Sequence, residues 1–175
     1  MLALRPKQLL TSQNMAEQQF LSQLNAHRGI VFKIAKLYAE ETAEQQDLYQ
    51  EMVFQALQAW PRFDGRSQFS TWLYRVCLNT ALSWQRQEQR RRKAEALTDW
   101  HELDDPIRKA QTDWLYSQMR KLDPLSRMVL SLKLDGFSMN EIAEMTGLSS
   151  NNATVKAHRA KQQLTQWLQQ HPLPL

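Results

Sequence analysis

Residues 63–75 read FDGRSQFSTWLYR and set four aromatic residues, Phe63, Phe69, Trp72 and Tyr74, beside Arg66 and Arg75. The group follows directly on a turn at Gly65, one of only four glycines in the chain. Two kinds of chemistry suit such a set. Apolar rings at helical spacing start a core, and Phe69, Trp72, Leu73 and Val76 share one helix face that fits that role. Tyr74, Arg75, Leu78 and Asn79 point elsewhere on the same helix. There Arg binds phosphate, Asn reads a base edge, and a ring stacks on an unpaired base for about 1–3 kcal/mol. The basic run from Arg86 to Lys93 adds a phosphate footprint that needs no particular sequence.

Two further sets deserve the same question. Asp47, Gln50, Glu51 and Phe54 fall at i, i+3, i+4 and i+7 on a helix. Polar residues on such a face need only water, whereas Phe54 among carboxylates has the form of an apolar anchor with a polar rim for a protein partner. Near the other end, Asn151, Thr154, Val155, His158 and Arg159 form a helical stripe without a carboxylate, flanked by Lys156 and Lys161. Amide, hydroxyl, methyl and guanidinium groups are those that meet base edges and phosphates in a major groove. His158 has no second ligand at helical spacing, so it reads as a DNA contact and not as a metal ligand. The alternative for this region is a helical hairpin that binds no DNA.

The elements that would hold these groups are helices. Glycine is scarce while Leu, Gln, Ala and Glu abound, and these residues lose little rotamer freedom in a helix. Asn14 with Glu17 forms the pattern of a capping box ahead of Phe20, Leu24, Val31, Ile34 and Tyr38, with Gly29 as a weak point midway. Thr42 with Gln45 is a second such pattern. The helix it opens is expected to bury Tyr49, Met52, Val53, Ala56, Leu57 and Trp60, and to end near Trp60 because Pro61 disfavours helical backbone before it. Ser67 is placed to cap the next helix, which extends into RQEQRRRK. Pro106 and Pro124 suit first helical positions, Gly136 a helix end, and Ser138 with Glu141 a third capping box. A turn at Thr146, Gly147 and Leu148 then joins two helices, the second capped by Ser149 and burying Ala153, Ala157, Ala160, Leu164 and Trp167. Together these are the parts of a helix-turn-helix.

Charge divides the chain further. Residues 40–51 carry a net −5, residues 62–93 a net +6 and residues 94–113 a net −4, which assigns separate surfaces to separate partners. The polar, acidic stretch AEALTDWHELDDP separates two helical blocks. The reading is an all-α chain of two small helical domains, 14–93 and 107–170, joined by a flexible acidic linker at 94–106, the second domain holding the helix-turn-helix. Cys77 is the single cysteine, so no intrachain disulfide and no multi-thiolate zinc site forms, in keeping with a reducing cytoplasm. MLALRPKQLL lacks the apolar run of a signal peptide or membrane span. His101, Glu102, Asp104 and Asp105 sit in the linker without a rigid element to hold a metal, and neither a phosphate-binding glycine loop nor a Ser or Cys nucleophile motif occurs. No catalytic residue, cofactor or metal is expected.

With these residues in view, the chain resembles a bacterial RNA polymerase sigma factor of the extracytoplasmic-function (ECF) type, from about Phe20 to Leu168. DLYQEMVFQALQAWPRFDGRSQFSTWLYRVCLNTAL resembles the second region of that family and LDPLSRMVLSLKLDGFSMNEIAEMTGLSSNNATVKAHRAKQQL its fourth. The resemblance implies that Asp47, Gln50, Glu51 and Phe54 dock on the clamp helices of the polymerase's largest subunit. It implies that the loop of Phe63, Asp64, Gly65, Arg66, Ser67 and Gln68 takes a flipped base of the minus-ten element, with Trp72, Arg75 and Asn79 on the strand-opening helix. It implies that Asn151, Thr154, Val155, Lys156, His158 and Arg159 lie against the minus-thirty-five element. Ser83 and Trp84 stand where the family often carries an Asp, and Ala153 and Ala157 where larger apolar residues are usual. Core RNA polymerase and promoter DNA, duplex and melted, are the partners so implied, and the family admits an anti-sigma protein as a third. The chain would be a transcription initiation factor and no enzyme. A free-standing helix-turn-helix regulator leaves the Asp47 to Phe54 stripe unexplained, and a helical adaptor that binds only protein leaves the Asn151 to Arg159 face without purpose.

Overall fold

The computed structural model describes the backbone of residues 6–91 and 106–170, with side chains over 15–87 and 111–170. Seven α-helices account for nearly all of it, and no strand occurs among the described residues. They are α1 (Pro6–Tyr38), α2 (Thr42–Ala59), α3 (Phe69–Arg91), α4 (Pro106–Arg120), α5 (Pro124–Leu134), α6 (Met139–Thr146) and α7 (Ser150–Gln170). The linker stretch from 94 to 105, including His101, and the side chains of Asn14 and of the basic run beyond Gln87 lie outside the described residues.

In the first unit α1, α2 and α3 pack on one another. Phe20, Val31, Ile34, Leu48, Met52, Ala56, Leu73 and Cys77 are fully buried between them. Several sequence expectations shift here. Helix α1 begins at Pro6 and runs unbroken through Gly29: a glycine costs about 1 kcal/mol in a helix interior, too little to break a helix anchored by Phe20, Leu24, Val31 and Ile34. The α2 capping box is Glu41 with Glu44 in place of Thr42 with Gln45, since a Glu side chain also reaches the orphan N–H groups of the first turn. The buried face of α2 turns by about one position. Leu48 joins Met52 and Ala56 inside, while Leu57 is 39% exposed. Helix α3 starts two residues beyond Ser67, and the Gln68 carbonyl accepts its first bond, from Trp72 N–H at 3.1 Å.

The second unit is built as its sequence reads, except that Trp167, near the end of α7, is half-buried and not fully inside. Asp123 caps α5, accepting from Ser126 N–H at 3.0 Å, with Pro124 at the first position. Ser138 and Glu141 form the capping box of α6. Gly147 ends α6 at φ 72°, the left-handed conformation that glycine reaches without a Cβ penalty. Ser149 accepts from Asn152 N–H, and Ala153, Ala157, Ala160 and Leu164 are buried along α7 against α5 and α6.

The units are not separate bodies. Helix α4 packs on α1 of the first unit as well as on α5 and α7 of the second. Arg127, 3% exposed, donates to the carbonyls of Met119 (3.2 Å), Arg120 (2.6 Å) and Leu122 (3.0 Å) in its own unit and to Leu37 O (2.8 Å) at the end of α1. Arg120 donates to Lys36 O at 2.9 Å, and Tyr38 O–H to Pro124 O at 2.8 Å. Two guanidinium groups therefore meet the carbonyl end of α1, where the helix dipole favours positive charge.

Candidate nucleic-acid and polymerase interface

On α2, the side chains of Asp47, Gln50 and Glu51 are exposed, and Phe54 is 53% exposed. Gln55 donates to Glu51 at 2.8 Å and holds its carboxylate along the helix. Leu57, one turn on, continues the apolar patch that Phe54 begins. Sequence periodicity assigned Leu57 to the core, because a residue at the edge of an apolar stripe satisfies both faces equally. Asp47 and Glu51 also line a groove between α2 and α3 whose other wall holds Asn79, Ser83 and Trp84. Asn79 thus lies beside the carboxylates of α2, one turn along α3 from Arg75.

The loop before α3 is built on aromatic rings. Trp60 stacks on Phe63 with centroids 5.4 Å apart, and Trp72 lies 5.0 Å from Phe63 and 6.0 Å from Trp60. Phe69 is buried beneath them. Trp60 ties the cluster to α1 through its indole N–H, 3.1 Å from Ala16 O. The sequence reading left Trp60 out of this group because it lies across Pro61 from the motif. Phe63 and Trp72 remain half-buried, so each keeps part of a ring toward solvent. Asp64, Gly65, Arg66, Ser67 and Gln68 are all exposed above them. Gly65 takes φ 72°, Asp64 accepts from Arg66 N–H at 3.2 Å, and the Arg66 guanidinium lies 2.8 Å from the Asp64 carboxylate. The result is a tight polar loop over an aromatic floor, a form suited to an unpaired base.

Tyr74 belongs elsewhere. It is 7% exposed, its hydroxyl donates to Asp135 at 2.7 Å, and its ring meets Phe137 edge-on at 5.3 Å. Burial first, and then the Asp135 carboxylate, push the phenol well above its ordinary pKa. It is not available for stacking on a base, and Leu78, 2% exposed, is also core. Arg75 reaches Glu144 of α6 at 3.1 Å, and its buried Nε has no hydrogen-bond partner among the described residues.

On α7, Asn151, Thr154, Val155, His158 and Arg159 are exposed on one face, and Val155 is 40% exposed. Thr154 donates to Ser150 O at 2.9 Å, and Ser150 to Asn140 at 2.9 Å, which ties the start of α7 to α6. Lys156 turns aside. It is half-buried, with its ammonium 3.8 Å from Asp123. Burial opposes ionisation of Asp123, but the Ser126 hydroxyl and N–H and then Lys156 outweigh it and hold the carboxyl below its usual range. Gln162 extends the exposed face by one turn from His158. Among the described residues no group of three His, Cys, Asp or Glu converges as metal ligands would, and no helix is long and apolar enough to cross a membrane.

Residues 24–91 match the family model of sigma-70 region 2, and residues 112–164 that of sigma-70 region 4. The RNA polymerase sigma factor YlaC of Bacillus subtilis is 31% identical over 134 residues, covering 71% of this chain and 76% of that protein. The ECF RNA polymerase sigma factor SigX of the same organism is 23% identical over 155 residues, covering 82% and 80%. Two solved structures share the fold. The sigma factor RpoE, in complex with the anti-sigma factor NepR from Bartonella quintana, has a TM-score of 0.63 at 19% identity, covering 87% of this chain and 96% of that one. CnrH, in complex with the cytosolic domain of CnrY, has a TM-score of 0.66 at 22% identity, covering 89% and 90%.

Proposed function

The chain belongs to the family of bacterial RNA polymerase sigma factors, of the ECF type, and from that premise we propose how its surfaces divide the work of initiation. A sigma factor binds core RNA polymerase and directs it to specific promoters. In this chain the exposed Asp47, Gln50, Glu51 and Phe54 face, with Leu57 added, is the polymerase-docking surface. The Phe63–Gln68 loop over its aromatic floor, with Trp72, Arg75 and Asn79, receives the melted minus-ten strand. Asn151, Thr154, Val155, His158 and Arg159 read the minus-thirty-five duplex, while Lys156 steadies α7 against Asp123 beside the phosphates. The units are 14–93 and 107–170, with 94–106 between them. RNA synthesis is the polymerase's chemistry and this chain is no enzyme. It works in the cytoplasm, where its polymerase is, and an anti-sigma protein is a further partner.

The observation that carries this reading is the separation of surfaces: a carboxylate-rimmed apolar patch on α2 and a carboxylate-free polar face on α7, in different units. Size exclusion of the chain with core polymerase tests it, with Glu51→Lys and Phe54→Ala alongside. Both variants are expected to lose co-elution, because truncating a central anchor typically costs 2 kcal/mol or more, roughly thirtyfold or greater. Arg159→Ala is expected to keep core binding and weaken promoter recognition. Equal effects of Glu51→Lys and Arg159→Ala on core binding would overturn the division. A folded chain that ignores core polymerase and binds duplex DNA tightly would be a free-standing regulator instead.

A further inference from the structure

A cavity of about 470 Å³ lies where α1, α2 and α4 meet. None of the residues assigned above to DNA lines it, and of the docking face only Gln50 does. Its size is that of a small-molecule pocket, within the roughly 300–1,000 Å³ where such sites fall. A stable protein interface needs about 1,000 Å² of buried surface, more than such a hollow offers.

The lining is of two kinds. One wall is aromatic: the rings of Phe32 and Tyr49 lie 4.5 Å apart at 31°, and both residues are half-buried, so part of each ring stays open. The rest is charged and balanced. Lys36 of α1 and Arg120 of α4 are its cations, Glu40 and Asp113 its carboxylates. Lys36 and Asp113 stand 3.9 Å apart, against about 2.7–2.9 Å for a directly hydrogen-bonded ion pair. Arg120 uses Nη1 to hold Lys36 O at 2.9 Å and forms no ion pair among the described residues. Burial lowers its pKa, and Glu40 and Asp113 oppose that from a distance. Gln46, half-buried, adds an amide with no hydrogen-bond partner among the described residues.

This combination narrows the ligand. A purely anionic molecule would meet the two carboxylates, and a purely cationic one the two cations. An apolar molecule would leave the charged half unmatched. We propose that the cavity binds a free aromatic amino acid as its zwitterion, with the ring against Phe32 and Tyr49, the α-carboxylate toward Arg120 and Lys36, and the α-ammonium toward Asp113 and Glu40. The carboxylate gives Arg120 the anion that the described residues do not supply. Gln50 belongs both to this lining and to the α2 face proposed above for polymerase, so an occupant sits against the docking helix. That consequence rests on the sigma-factor reading, whereas the site rests on the cavity alone.

The test titrates L-tryptophan into the full chain, labelled with nitrogen-15, and follows the backbone amide resonances. Indole supplies the ring alone, glycine the zwitterion alone, L-leucine a zwitterion with an aliphatic side chain, and N-acetyl-L-tryptophan a ring and carboxylate without the ammonium. Tryptophan is expected to bind with a Kd on the order of 0.1–1 mM, as suits a ligand of its size. The resonances of Ala35, Gln46 and Tyr49 should shift saturably while those of α6 and α7 stay in place. Each of the four partial ligands is expected to bind about tenfold more weakly, because each leaves part of the lining unmatched. Asp113→Asn and Lys36→Met, with folding checked by circular dichroism, should each weaken tryptophan about tenfold and leave indole unchanged. No saturable shift at 10 mM tryptophan in the folded chain would overturn the site, as would saturable shifts confined to other helices. Indole or leucine binding as tightly as tryptophan would overturn the class of ligand, and full tryptophan affinity in both variants would overturn the charge assignment. Polymerase and DNA enter none of these titrations, so failure here leaves the sigma-factor reading standing, and loss of that reading leaves the site standing.

Discussion

Arg127 and Cys77 show how differently two buried polar residues can be used. Arg127 places its guanidinium on four backbone carbonyls and 5.0 Å from the Tyr38 ring. Burial lowers its pKa, yet the ring, the carbonyls and nearby Asp123 keep a cation there. Arg127→Ala would strand those carbonyls, and a loss of about 2–4 kcal/mol in urea denaturation is expected. Cys77 has no such partners among the described residues. Burial pushes its thiol up to about 12, so at pH 8 it is expected to resist a disulfide reagent in the native chain and to react stoichiometrically once unfolded. At this scale the sequence was partly legible. The Phe63 to Gln68 loop and the α7 face were readable because turn residues and a carboxylate-free stripe signal themselves locally. Tyr74 was not, since its partner Asp135 is 61 residues away. Lys156 was not either, because one rotation step on a helix separates a base-reading position from one that faces Asp123.

At the scale of elements, helix ends govern the second unit. Gly147 sits at φ 72°, and Gly147→Ala would place a Cβ where the left-handed backbone costs about 1–2 kcal/mol. A drop of about 5 °C in the melting temperature of this unit is expected by calorimetry, together with weaker duplex binding as α7 loses its angle to α6. Asp123 adds a pH dependence of known sign. Its folded pKa is depressed, so its stabilisation is present above the ordinary carboxylate pKa and is lost as pH falls through the folded value. Asp123→Asn keeps the cap but cannot titrate. The stability gap between parent and variant should therefore shrink between about pH 5 and pH 3. Thermal melts across that range would check it, and a constant gap would refute it. The caps of α6 and α7 and the opening of α5 at Pro124 were legible because each acts within four residues, whereas the Asp123 cap of α5 appears only in the structure. The cap of α2 and the start of α3 were each displaced by one or two positions, since Thr42 and Ser67 are good caps whose neighbours Glu41 and Gln68 take the role under tertiary packing.

For the molecule as a whole, the all-helical class and the division into two units followed from glycine scarcity, capping patterns and charge blocks. Their packing did not, because a flexible acidic linker by composition says nothing of what its flanks do when they meet. The junction of the units has one more property. Three of its fastenings end on backbone oxygens, those of Lys36, Leu37 and Pro124, and only the donors Arg120, Arg127 and Tyr38 are specified by side chain. A carbonyl is offered by every residue type. The helix-turn-helix unit could therefore be exchanged for that of a related chain with the junction surviving, provided its donors Arg120 and Arg127 are kept together with Asp135 and Glu144, the carboxylates that meet Tyr74 and Arg75. Such a chimera would inherit a new promoter address while retaining the same clasp.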